Sequence, residues 1–90
     1  MGTNRFELGT VVQTPGVRDL DPSGAQTDWL LQRHASGDWG SVTSDDAKEN
    51  DSALLVKGML LSKYKVNGQF VWIITDPGHT VTTILLPSEY

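Results

Sequence analysis

An Asn-Gly pair at positions 67–68, set between MLLSKYKV and QFVWIIT, constrains this chain more than any other feature. Both central residues of a type I′ turn need a positive φ, which Asn and Gly tolerate, and that turn's twist joins antiparallel strands. A second break at Asp76-Pro77-Gly78-His79 leads into TVTTILL, so the last third reads as a meander of three strands. The predicted class is a single α+β domain over residues 1–90. Its meander spans about residues 59–66, 69–75 and 80–86, with a short strand over about 6–13. Two main helices are predicted, over about 28–35 and about 44–57.

A two-residue turn sets Val66 opposite Gln69, Tyr64 opposite Val71 and Ser62 opposite Ile73. One sheet face then collects Leu60, Tyr64, Val66, Val71 and Ile73, joined by Ile84 and Leu86. The other collects Met59, Leu61, Phe70, Trp72 and Ile74, joined by Val81 and Leu85, with Lys63 and Lys65 beside the aromatics. A sheet with one wet face should alternate more cleanly than this. Two helices of about three turns cannot cover both sides. Either the N-terminal segments wrap the second face or a protein partner does, a second copy of the chain first among them. The predicted interface is Met59, Leu61, Phe70, Trp72 and Ile74.

The helices carry their own punctuation. Thr14-Pro15-Gly16 stops the first strand, and Val17–Leu20 has room for one helical turn before Asp21-Pro22-Ser23-Gly24 breaks the chain again. Thr27 is placed to cap the first main helix, with Trp29, Leu30, Leu31 and His34 on its inward and flanking faces. Thr43 caps the second, with Asp46 at the acidic position of a capping box and Val42 and Ala47 as a weak staple. Ala47, Asn50 and Leu54 share one face of it, and Gly58 ends it.

Composition closes several routes. The chain has no cysteine, which excludes disulfides and thiolate metal sites. No apolar run approaches about 18 residues, and the start MGTNRFELG lacks the charged-then-apolar order of a signal sequence. A cytoplasmic protein without a membrane partner is expected. The net charge of −4 is uneven: Asp19 to Asp51 holds eight acids against Arg33 and Lys48, whereas Lys57 to Asp76 holds three lysines and one acid. Such acidity disfavours a phosphate backbone. The Lys63, Lys65, Phe70 and Trp72 group otherwise has the make-up of a base-stacking platform.

Three residues are candidates for chemistry: His34, Asp38 and His79. His34 and Asp38 lie in RHASGDWG, where a carboxylate four residues on could orient the imidazole for acid–base work. The structural alternative is an interhelix turn, with Gly37 left-handed, Asp38 bonding nearby amides, Trp39 plugging the core and Gly40 turning the chain again. His79 lies at the end of the Pro-Gly turn, exposed at the end of the sheet. The two histidines lack HxH or HxxxH spacing, so neither a metal nor any other cofactor is expected. No phosphate-binding glycine loop, Gly-x-Ser-x-Gly elbow or His-Glu-x-x-His occurs.

FELGTVVQTPG, RHASGDWG, VWIITD and TTILLPSEY together resemble a family of small bacterial proteins carried on plasmids and other mobile DNA, integron gene cassettes among them. The likeness runs over nearly the whole chain. It implies an accessory protein of mobile elements and brings no catalytic residue or cofactor. Some members carry labels mentioning restriction–modification subunits, a chemistry that 90 residues without a methyltransferase glycine loop cannot support. The chain departs from the family around Asp21-Pro22, where relatives continue a helix. A fainter likeness is to the microbial ribonuclease fold, in which His79 would be the acid. The base glutamate and phosphate-binding arginines that fold implies are missing from residues 59–75. The reading is therefore a non-enzymatic interaction or accessory module, the alternative being a small metal-independent ribonuclease or hydrolase using His34, Asp38 and His79.

Overall fold

A computed structural model describes residues 4–90. Residues 1–3, the start of the stretch read for a signal sequence, lie outside the described residues. The elements in chain order are β1 (Thr10–Gln13), α1 (Pro15–Leu20), α2 (Ala25–Ala35), α3 (Ser44–Val56), β2 (Leu60–Val66), β3 (Gln69–Thr75), β4 (Val81–Leu85) and a 3-10 turn (Pro87–Glu89). The sheet order is β1-β4-β3-β2, with the meander antiparallel and β1 parallel to β4. The α+β class holds, and the sheet is mixed.

The hairpin register matches the Asn-Gly expectation pair for pair: Val66 faces Gln69, Tyr64 faces Val71 and Ser62 faces Ile73. Asn67 and Gly68 sit at φ 50° and 82°, the left-handed pair a type I′ turn requires. The inward face builds one core from Tyr64, Val66, Val71, Ile73 and Ile84 against Val17 of α1 and Leu30 of α2.

Four boundaries differ from the sequence reading. The first strand covers Thr10–Gln13 and not 6–13, because Phe6 turns inward against His34, Trp39 and His79. Gly9 then passes so close to β4 that a Cβ would lie 2.2 Å from the Thr80 carbonyl oxygen. Pro15 opens α1 where a break was expected, since its fixed φ suits the first helical position and its missing N–H needs no partner there. α2 starts at Ala25, ahead of Thr27. The Asp21 carboxylate accepts the Thr27 amide at 2.8 Å, while the Thr27 hydroxyl donates back to the Gly24 carbonyl. α3 is capped as expected, the Thr43 hydroxyl accepting from the Asp46 amide, but Lys57 ends it in the left-handed region at φ 52°.

α3 lies along the β2 edge, and its buried residue is Asn50. That amide acts as a strand surrogate: Nδ2 donates to the Leu61 carbonyl at 2.7 Å and Oδ1 accepts the Leu61 amide at 3.1 Å. One pleat further on, Lys63 donates to the Trp39 carbonyl and accepts from the Ser41 amide. Gly40 sits in that bridge at φ 72°, where a Cβ would lie 2.1 Å from the Lys63 carbonyl oxygen. The outward-pointing backbone groups of Leu61 and Lys63 are thus satisfied within the chain, which seals most of this edge against strand addition.

Candidate functional site

His34 is fully buried, at 0% exposure, inside a chain of hydroxyl groups. Its Nδ1 lies 2.5 Å from Ser62 Oγ on β2 and its Nε2 2.9 Å from Thr75 Oγ1 on β3. Thr75 Oγ1 lies 2.8 Å from Thr82 Oγ1 on β4, and Thr82 donates to the Leu8 carbonyl at 2.7 Å. A carbonyl only accepts, and each hydroxyl has one proton. The direction of every bond therefore follows. Thr82 spends its proton on Leu8, so Thr75 must donate to Thr82 and accept from His34 Nε2–H. Nδ1 then accepts from Ser62. Burial, followed by the nearby charge of His79, lowers the His34 pKa to about 3, so the ring is neutral at physiological pH.

The His34–Asp38 pair expected from the sequence does not form. Asp38 Oδ2 takes the Arg33 guanidinium at 2.7 Å, and its Oδ1 accepts the Gly40 amide at 3.3 Å. The Arg33 hydrogen bond, offset in part by desolvation, holds the Asp38 carboxyl below the usual carboxylate range. The structural alternative describes this segment: Gly37 is left-handed at φ 88°, Trp39 is buried, and its indole N–H donates to Asp51 at 3.2 Å. Tyr64 closes the turn by donating to the Asp38 carbonyl, and its burial pushes the phenol up to about 12.

His79 is not exposed, as the sequence suggested, but buried at 7% exposure. Its Nε2 donates to the Gly58 carbonyl at 2.8 Å, and its ring packs on Phe6 with centroids 5.2 Å apart. Phe6 makes a 5.2 Å edge contact with His34 as well. The histidines therefore share an aromatic neighbour, but His34 has no surface from which to act. Among the described residues, no group of three or more His, Cys, Asp or Glu side chains could hold a metal. No helix is long and apolar enough to cross a membrane.

The second sheet face is the surface the sequence singled out, and its residues divide. Ile74 is only 8% exposed and, with Leu85, lines a cavity on this face between Met59 and the C-terminal Tyr90. Met59 and Phe70 stay exposed at 49% and 43%, while Leu61 and Trp72 are half-buried. Tyr90 leans on Trp72 at 5.7 Å, edge to face. The Lys63 ammonium sits 5.0 Å from the Trp72 centroid and that of Lys65 5.2 Å from Phe70. The N-terminal segments go to the other face, and the C-terminal turn runs over this one, Tyr90 against Trp72 and Pro87 beside Phe70 and Trp72.

Sequence reasoning passed over Thr75, Thr82 and Asn50, although each left a trace. The register put Ser62 on the core face, where a hydroxyl needs a partner, and put Asn50 among inward-facing Ala47 and Leu54. Compared with protein-family models, with curated proteins and with solved structures, the chain shows no match.

Proposed function

We propose that this chain is a non-enzymatic interaction module, an accessory protein of mobile-element origin, that works by pairing with a second copy through the partly open sheet face. The observation that carries the reading is the face itself. Phe70 and Trp72 lie on the sheet and Met59 just ahead of β2, with the ammonium groups of Lys63 and Lys65 over the aromatic rings. Charge favours self-pairing. Along β3 the lysines flank the Phe70 end, and Asp76 follows the opposite end. Two copies stacked with strands antiparallel set each lysine pair against the partner's Asp76. Such sheet-on-sheet packing buries Phe70 and Trp72 between layers about 10 Å apart.

Sedimentation equilibrium tests this. A dimer at tens of micromolar, converted to monomer by Phe70→Ser without loss of folded signal, is the expected result. A strict monomer at these concentrations, or a dimer indifferent to Phe70→Ser, overturns it.

A further inference from the structure

Away from that sheet face, a cavity of about 390 Å³ opens between the N-terminal segment, the end of α3 and the β3–β4 turn. Arg5, Glu7, Lys57 and His79 line it over an apolar floor of Phe6 and Leu54. Its size is at the small end of metabolite pockets. We infer that this cavity binds a small acid, its carboxylate or phosphate group held by Arg5 and Lys57 beside His79.

Three observations converge on it. The first is unneutralised charge. The ion pair among the described residues is Arg33–Asp38, so Arg5 and Lys57, both lining this cavity, have no carboxylate within 4.0 Å, and the Arg5 side chain runs beside Gly37 at its rim. Glu7 lines the same space and suits a hydroxyl or amino group on the ligand.

The second is backbone conformation. Three non-glycine residues have positive φ: Asn67, Lys57 and His79. Asn67 is accounted for by its hairpin turn, Lys57 caps the end of α3, and His79 closes the turn from Asp76. These last two, at φ 52° and 57°, both line this cavity, and each has a glycine as its chain neighbour (Gly58 and Gly78). Glycine adopts this conformation more readily, yet the cationic and titratable side chains occupy it.

The third is rigidity. The Gly78 amide donates to the Lys57 carbonyl at 2.8 Å, and His79 Nε2 donates to the Gly58 carbonyl at 2.8 Å. These crossed bonds lock the two turns together and orient the His79 ring. Nε2 is committed to Gly58, which leaves Nδ1 as an acceptor for an O–H or N–H of the ligand. The Arg5 amide is fixed in turn to the Ala35 carbonyl at the end of α2. A pre-set arrangement of this kind lowers the ordering cost of binding.

Titration of the ¹⁵N-labelled full chain with inorganic phosphate, and separately with succinate, tests the assignment. Saturable shifts centred on Lys57, Gly78, His79 and Thr80 are expected with at least one anion, and which anion responds identifies phosphate or carboxylate as the group read. Lys57→Gly is expected to weaken binding at least tenfold while keeping or raising the thermal midpoint, because glycine relieves the left-handed position. Arg5→Gln should weaken binding similarly, and Lys48→Gln on the exposed side of α3 should not. No saturable shift with either anion overturns the inference, as does Lys57→Gly binding like the parent.

Discussion

The hydroxyl chain from Ser62 to Leu8 leaves His34 a single arrangement of protons, and it also sets how the protein responds to acid. Folding holds the imidazole neutral down to about pH 3, whereas in the unfolded chain it takes a proton near pH 6.5. Between those values the unfolded state binds one more proton than the folded state. Stability from this residue is thus complete above pH 6.5 and declines as pH falls, by about 2 kcal/mol on reaching pH 5. Urea unfolding at pH 7 and pH 5 measures the loss. His34→Gln, though less stable throughout, should depend more weakly on pH across the same window. Equal losses in parent and variant would remove His34 as the source. The residue most suggestive of catalysis in the sequence therefore has a structural task. Its spacing to Asp38 looked like an acid–base pair only because sequence distance does not report that Arg33, one position earlier, takes the carboxylate.

Among the elements, α3 is unusual in what holds it. Leu55 and Val56 are 87% and 77% exposed, so apolar burial contributes little along its C-terminal half. The Asn50 amide and the Trp39–Asp51 bond carry the attachment to the sheet. Asn50→Ala strips both hydrogen bonds from Leu61 and should cost about 1–3 kcal/mol. The unsealed β2 edge should then promote concentration-dependent aggregation. Chemical denaturation and light scattering read the two effects separately. A variant as stable and as soluble as the parent would show that α3 is held otherwise. The helix boundaries tell a related story. α3 was legible because its cap, Thr43 with Asp46, is local in sequence. The start of α2 was not, because Asp21 reaches the Thr27 amide across a breaker cluster that by local rules ends structure.

For the whole molecule, the consequence is asymmetry: α1 and α2 pack on one face of the sheet, and the C-terminal turn covers the other only in part, leaving Phe70 exposed. Should two copies meet there, the charges at its two ends decide the pairing. Lys63→Glu with Lys65→Glu should abolish the dimer by placing like charges against Asp76, and adding Asp76→Lys should restore it. Analytical ultracentrifugation of the three proteins checks this, and a dimer unaffected by either change removes the stacked arrangement. β1 forms the other sheet edge, with Val11 and Val12 41% and 44% exposed. Val11→Pro, which removes a donor on the side away from β4, separates edge pairing from face pairing. Face pairing predicts no effect.

Sequence alone determined the meander, its register and the apolar character of both faces. Alternation, β-branched side chains and the Asn-Gly turn act over a few residues, so they survive without knowledge of the rest of the chain. It also supplied α3 and the buried Trp39. Tertiary structure decided the rest: that β1 runs parallel beside β4, that Asp21 caps α2, that Asn50 closes an edge, and that Lys57 and His79 meet at one cavity. Each of these depends on groups far apart in the chain, or on chain paths that pack around a shared core. Local propensity carries no information about which distant partner will satisfy a buried donor.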